Sequence, residues 1–452
     1  MNAAGRETVV DAGLPLSAEQ RSMLFYDELF GLGVADNNVV AVEVPPDVGA
    51  TAVGESLAVL VGRHAALRAA LDRDASGRQV CAPASGEPVT VAHTVAPAEG
   101  AWIARRTKEL AELRMDRHVP GLTHFELVDL GGARRVLLFT VDHLMSDGTS
   151  CDVLVDEFVR LVRATGSDRS ASLAPLPLSY LDLCRARTSS PGLAARLRQE
   201  IEFWCRTLDG VGPSRGSDLG AAGTQGQRRI RYDLVRPDPD LYRRVMGLSR
   251  ALHVTPFAVV ATAAAIALWR RTGSRDTLLF TPVSTRRDPA MAHLVGNFVN
   301  DRPVACHVSP ERTLAEQAQQ VARSCLGALR HHQAAVPDLV EAVEPLRAAL
   351  LTPGAEYVQL HVTVSDSDTA EEWEAPTAAW APELIGDFTP GRAITCTTLR
   401  FSLEPARSWV KAFFGGPPSD APRAAALGAR VVRLLEAMVA DGDQRVGELA
   451  GD

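Results

Sequence analysis

The stretch Val136-Leu-Leu-Phe-Thr-Val-Asp-His-Leu-Met-Ser-Asp-Gly-Thr-Ser150 decides how the chain is read. Residues 136–141 are apolar and β-branched, the pattern of a buried strand. The run breaks at Asp142-His143 into a polar turn that closes on Asp147-Gly148. Beyond it Val153, Leu154, Phe158, Val159, Leu161 and Val162 recur at helical spacing. One imidazole therefore sits where a strand gives way to a helix. Rigid elements hold a side chain accurately, so this junction suits acid–base chemistry. A histidine at a strand end also serves as a hydrogen-bonded structural residue. Asp147-Gly148-Thr149 also serves as a turn and helix cap. The stretch alone leaves both readings open.

The chain has 452 residues, enough for two domains of about 200 residues each. Hydrophobic residues make up 46%, which suits a globular protein with a sizeable core. The net charge is -8 and there is no Lys/Arg-rich tract, which argues against nucleic acid as a partner. Lysine occurs only at positions 108 and 411 among 47 basic residues, a bias that fits codon composition better than function. The 7 cysteines are scattered, odd in number and form no Cys-x-x-Cys. That pattern argues for reduced thiols in a cytosol and against a zinc or disulfide framework. No signal peptide is visible, and the most apolar helix (256–269) is too short to span a bilayer.

Taken in order, Ser17 is a plausible N-cap with Gln20 completing a capping box, after a frayed start over 1–12. Strands are expected over 38–44, 79–80, 89–95, 123–129 and 135–141, and helices over 51–71 and 101–113. Ala174-Pro-Leu-Pro-Leu178 is a break and the candidate boundary between lobes 1–176 and 177–452. The Gly/Ser-rich 210–227 reads as a mobile surface loop. Helices are expected over 180–187, 193–208, 241–251, 256–271, 314–332 and 424–440. Strands are expected over 229–234, 277–282 and 395–403, with extended chain at 295–299 and 302–308. Residues 356–365 alternate, with Gln359, His361 and Thr363 on one face, so that polar face is a candidate cavity wall. Arg63 and Arg68 are candidates to neutralise carboxylates between helices. The adjacent His331 and His332 read as a solvated helical face, and Trp204 and Trp269 as core. The whole reads as two lobes of mixed α and β content.

Six short motifs then fall in a familiar order. Leu16-Ser-Ala-Glu-Gln20 resembles LSxAQ, and Arg63-His-Ala-Ala-Leu-Arg68 resembles RHExLR. Asp142-His143-Leu-Met-Ser-Asp147-Gly148 resembles HHxxxDG. Tyr180-Leu-Asp182 with Phe203-Trp204 resembles YxD and its following YW pair. Thr281-Pro-Val-Ser-Thr-Arg286 resembles TPxxGR, and Val295-Gly-Asn-Phe-Val-Asn300 resembles GxFVN. On these the chain resembles the condensation domains of nonribosomal peptide synthetases, within the chloramphenicol-acetyltransferase-like acyltransferases. It departs at Asp142, where the family has the first histidine, and at Thr285, where it has glycine. The late HQDxPF motif is only echoed at His332-Gln-Ala-Ala-Val-Pro337. No carrier-attachment or adenylation motif is visible, so a free-standing enzyme is expected. The absence of DFGWG tilts the acyl donor towards a carrier-protein thioester rather than coenzyme A.

The resemblance implies an α+β or α/β fold of two chloramphenicol-acetyltransferase-like lobes in a V, with a central active-site tunnel. It places His143 there as general base or positioner for an amine or alcohol acceptor. The donor would be an acyl or aminoacyl thioester on the 4'-phosphopantetheine of a carrier protein, with no cofactor or metal bound. Asp147 would pair with Arg286 to fix the turn, and the Gly148 N–H would help a developing oxyanion. Ser284, Asn300, Gln359 and His361 are candidates either to line the tunnel or to be satisfied core groups. Asp142 would either buttress the turn or change the chemistry. Heterocyclisation domains carry DxxxxDxxS, which Asp142, Asp147 and Ser150 fit, but His143 and the GNFVN sequence favour condensation. A non-catalytic platform that docks carrier proteins or tailoring enzymes is the alternative from another class. A cytoplasmic monomer is expected, with no membrane or nucleic-acid partner.

Overall fold

The computed structural model describes residues 11–30, 37–74, 76–84, 89–96, 101–131, 134–164, 173–212, 228–235, 237–238, 240–352, 356–364, 387–388, 395–405, 408–416, 421–440 and 443–449. Most of the expected start 1–12 and of the loop 210–227 lies outside the described residues.

The first lobe is built on a four-stranded sheet in the order Asn37–Val44, Arg135–Asp142, Thr123–Asp129, Val91–Val95. The first three run antiparallel, and Val91–Val95 pairs parallel with Thr123–Asp129. Arg135–Asp142 is buried after its first residue, which is why it carries an unbroken apolar run. On one face Phe139 sits edge-on to Phe125 at 5.7 Å and to Phe158 of the helix Gly148–Ala164 at 5.2 Å. The opposite face, through Val136 and Leu138, packs on Leu110 and Ala111 of the helix Ala101–Ala111. A small sheet of Asp11–Pro15, Arg78–Cys81 and Ala69–Leu71 lies alongside.

The second lobe is a seven-stranded mixed sheet in the order Val299–His307, Asp276–Ser284, Glu356–Val364, Thr395–Leu403, Trp409–Gly416, Arg228–Val235, Asp387–Phe388. Its even-numbered Val358 and Leu360, with Val304, Leu399 and Phe401, share a core with the helices Pro256–Thr272 and Leu314–Arg330. Pro256–Thr272 is apolar all round because it is enclosed. Thr255 caps it, Pro256 starts it, and Gly273 ends it at φ 73, a conformation glycine adopts without strain.

The two cores meet at two places. The helix Ala18–Phe30 sends Met23 and Leu24 into the first core and Phe25, Tyr26 and Leu29 into the second. Leu294, Val295 and Phe298, late in the chain, pack into the first core. Tyr180, Leu181, Leu183 and Cys184 also belong there. The helix Tyr180–Thr188, which follows the expected boundary, thus packs with the first core.

Several elements differ from the sequence reading. The helix expected over 51–71 runs Ala50–Arg63. His64 is extended at φ -101, a 3-10 turn Ala65–Arg68 follows, and Ala69–Leu71 joins the small sheet. The helix expected to reach His332 stops at Arg330, and the His331 ring stacks on Phe203 at 3.6 Å rather than facing water. Asp11–Pro15, Val336–Ala342, Glu344–Leu351 and Trp409–Gly416 carry elements the pattern did not announce.

Candidate active site

His143 opens a 3-10 turn, His143–Met145, at the end of the central strand. Asp142 prepares that turn. One carboxylate oxygen accepts the Leu144 N–H at 2.8 Å, and the other accepts Nε of Arg117 at 2.8 Å. Arg117 also pairs with Asp27, and both Arg117 and Asp142 are buried. Burial alone would lower the Arg117 pKa, but the charges of Asp142 and then Asp27 outweigh it and raise it. Both oxygens of Asp142 are thus engaged, which is the geometry of a buttress. Ser146 ties the turn further, donating to the Asp142 carbonyl at 3.1 Å and accepting from Asn38 at 2.9 Å.

Asp147 closes the turn from the other side. Its Oδ1 accepts the Ser150 N–H at 2.7 Å, the Ser150 hydroxyl at 2.7 Å and Nη2 of Arg286 at 2.9 Å. Its Oδ2 accepts the Phe298 N–H at 3.0 Å. Arg286 donates onward to the Met291 and Leu294 carbonyls at 2.7 and 2.8 Å, and its guanidinium lies 3.9 Å over the Phe298 ring. One buried carboxylate therefore joins the histidine turn to the segment leading into the strand Val299–His307. Gly148 follows it directly as the first residue of its helix.

The segment approaches so closely that Gly296 has no room for a side chain. A Cβ there would lie 2.2 Å from the Tyr180 ring. The Tyr180 hydroxyl donates to the Asn297 carbonyl at 3.0 Å and is hydrogen-bonded to the Ser17 hydroxyl at 3.1 Å. Ser17 and Gln20 form the expected capping box of Ala18–Phe30, at 2.9 and 3.1 Å.

His143 has a buried Nδ1 with no hydrogen-bond partner among the described residues. Across from it stands the odd-numbered face of Glu356–Val364. The His143 imidazole acts electrostatically on Asp301 and His361, so these three groups share one locality. Asp301 Oδ2 accepts the Tyr357 hydroxyl at 2.6 Å and the Gln359 amide at 2.8 Å. Burial raises the Asp301 pKa, against the opposing pull of those two donors, Arg302 and His143. Burial, then the positive charges of Arg400 and His143, hold the His361 imidazole well below its ordinary value.

The four expected wall residues divide. Gln359 bonds Asp301 and His361 feels the His143 charge, so both belong to the His143 locality. Ser284 is exposed at the end of its strand and accepts the Arg286 N–H at 3.3 Å. Asn300 is buried, and its amide donates to the Ala334 carbonyl at 3.1 Å, as its neighbour Arg302 also does. Strand alternation puts Asn300 and Arg302 on the face opposite Asp301, while Ser284, paired with Val299, lies on the Asp301 face. Asp301, Tyr357, Arg117 and Asp27 were not singled out by the motifs. The one available signal was the alternation of Tyr357, Gln359 and His361. Arg63 does meet a carboxylate, Glu157, at 3.1 Å. Arg68 instead donates to the Val61, Gly62 and Ala82 carbonyls.

Among the described residues no group of three or more His, Cys, Asp or Glu could hold a metal ion, and no single helix is long and apolar enough to cross a membrane.

Comparison with known proteins agrees with this geometry. The family model described as "Condensation domain" matches residues 10–375. Phosphinothricin tripeptide synthetase PhsB of Streptomyces viridochromogenes is 29% identical over 346 residues, covering 75% of this chain and 28% of the relative. The chain thus spans less than a third of that protein's length. The first condensation domain of the calcium-dependent antibiotic synthetase superposes with a TM-score of 0.73 at 19% identity, covering 98% of this chain and 100% of that one. The X-domain from teicoplanin biosynthesis, which has also been seen in complex with OxyB, superposes at 0.74 and 21%, covering 98% and 99%. With the motif histidine, its Asp147–Arg286 brace and a family model that matches most of its length, the chain belongs to the condensation-domain family.

Proposed function

We propose that the chain is a condensation-type acyltransferase. It joins a carrier-bound acyl or aminoacyl thioester to an amine or alcohol acceptor in nonribosomal-peptide or related natural-product biosynthesis. The observation that carries the reading is His143, its buried Nδ1 without a hydrogen-bond partner among the described residues, on a turn braced from both sides by Asp142 and Asp147. Imidazole suits the task because its ordinary pKa lies near neutrality. The acceptor nitrogen or oxygen attacks the thioester carbonyl, and the new C–N or C–O bond forms as the C–S bond breaks. His143 takes the acceptor proton, and the released thiolate of the phosphopantetheine arm is reprotonated. The Gly148 N–H, at the start of its helix, is the assigned donor to the developing oxyanion. We place the protein in the cytosol as a monomer working with a carrier protein.

Two other readings are kept for specific reasons. The likeness to an X-domain seen with OxyB supports a docking platform that does not turn over. The Asp142, Asp147, Ser150 spacing supports heterocyclisation, but both Asp142 oxygens are committed to the turn and to Arg117. Intact-mass spectrometry of an acyl-loaded carrier, incubated with amine and alcohol acceptors, separates the three. An acyl adduct on the acceptor supports condensation, and its further loss of water supports cyclisation. Stable carrier binding with no transfer supports docking.

A further inference from the structure

Among the described residues no cation pairs with the Asp301 carboxylate. Its neighbour Arg302 is fully buried and points the other way, donating to the His332 carbonyl at 2.6 Å and lying 3.9 Å from Glu200. The groups beside the Asp301 carboxylate are two neutral donors, Tyr357 and Gln359, and the His143 charge also reaches it. Arg400 shares this face but stands three strands away, about 14 Å. Both donors hold the same oxygen, Oδ2, and no described residue donates to Oδ1. Gln359 is itself steadied by Thr398, whose hydroxyl donates to it at 3.2 Å. The carboxylate is therefore held in one orientation with its second oxygen unclaimed.

We infer that Asp301 anchors the acceptor's nitrogen and is the residue that makes this site favour an amine over an alcohol. The inference rests on the acyl-transfer reading above and names the residue that holds its acceptor. An acceptor arriving as R–NH3+ gives N–H bonds to Oδ1 of Asp301. His143 takes one proton, the freed lone pair attacks the thioester carbonyl, and as the C–S bond breaks the second proton passes from nitrogen to the leaving sulfur, giving the amide and the thiol. An alcohol offers one O–H and no charge, so it gains less from the same carboxylate. The raised Asp301 pKa fits an acid waiting for a cation.

The test uses non-hydrolysable thioether analogues of acyl N-acetylcysteamine, sharing one side chain and bearing an α-amino, an α-hydroxyl or hydrogen. Binding is measured by calorimetry to wild type, Asp301→Asn and Tyr357→Phe. Wild type is expected to prefer the amino ligand at least tenfold across side-chain series. In Asp301→Asn that preference collapses to within about twofold while hydroxyl binding holds, and Tyr357→Phe falls between. Asp301→Asn is also expected to melt at a higher temperature at neutral pH, because it removes a carboxylate whose charged form folding disfavours. A purely structural Asp301 would melt lower when replaced. No amine preference in wild type, or a preference unchanged in Asp301→Asn, overturns the inference. Transfer that depends on His143 with an indifferent Asp301→Asn sinks this inference alone. Amine preference without any transfer sinks the acyltransfer reading and leaves Asp301 as a ligand site.

Discussion

Asp147 and Arg286 stand 139 residues apart in the chain and meet at 2.9 Å, both nearly shielded from water. The contact links the histidine turn of the first lobe to the segment that enters the second lobe's sheet. Taking away either partner leaves a charge stranded among groups arranged for its opposite. Arg286→Ala and Asp147→Ala should each cost about 3–5 kcal/mol. Chemical denaturation checks this, and a loss under 1 kcal/mol would show that the pair does not brace the turn.

Asp142 is expected to act through stability more than chemistry. Asp142→Asn keeps an acceptor for the Leu144 N–H but unpairs Arg117 from one of its two carboxylates. It should lower stability by roughly 3–5 kcal/mol and leave the mass of any transfer product unchanged. Intact mass and denaturation together read both effects. A product differing by one water from that of wild type would move the chemistry towards cyclisation.

Gly296 is fixed by the Tyr180 ring, 2.2 Å from where a Cβ would sit. Gly296→Ala should destabilise by about 1–3 kcal/mol, the ordinary penalty of overpacking. In the double variant with Tyr180→Ala the added penalty of Gly296→Ala should vanish, because the clash has gone. A double-mutant cycle with no coupling would contradict the packing.

The pH dependence has a definite sign. The folded His361 pKa lies well below the usual 6.5, so below about pH 6.5 the unfolded chain binds a proton that the folded chain refuses. Stability is full above that pH and falls as the solution is acidified towards the folded pKa. His361→Gln should flatten the fall by up to about 1.4 kcal/mol per pH unit. His331 and His332, lowered mainly by burial, keep a residual slope of the same sign. Unfolding titrations at pH 7.5 and 5.5 measure it, and an equal slope in the variant would refute the assignment.

What could be read from the sequence follows the range of the interactions. The strand, turn and helix around His143 were legible because their pattern is local. The Asp147–Arg286 pairing came from the family resemblance. Asp301 was not legible, although Asn300 beside it was chosen. Alternation puts one of the two on each face, and only the tertiary partners, Ala334 for Asn300 and Tyr357 for Asp301, say which face is which. Arg117 and Asp27 escaped for the same reason, since their meeting with Asp142 spans three separate segments. The helix after Ala50 was overextended because the turn at His64 is set by a carboxylate from another helix, Glu157 at 2.8 Å.

The most direct test of the central claim follows acyl loss from a phosphopantetheinylated carrier by intact mass in a single turnover, with wild type and His143→Ala compared at matched folding. The account predicts transfer to an added amine acceptor by wild type, and a fall of at least 100-fold in His143→Ala, on the order expected when a general base is removed. Equal transfer by a folded His143→Ala protein would contradict it.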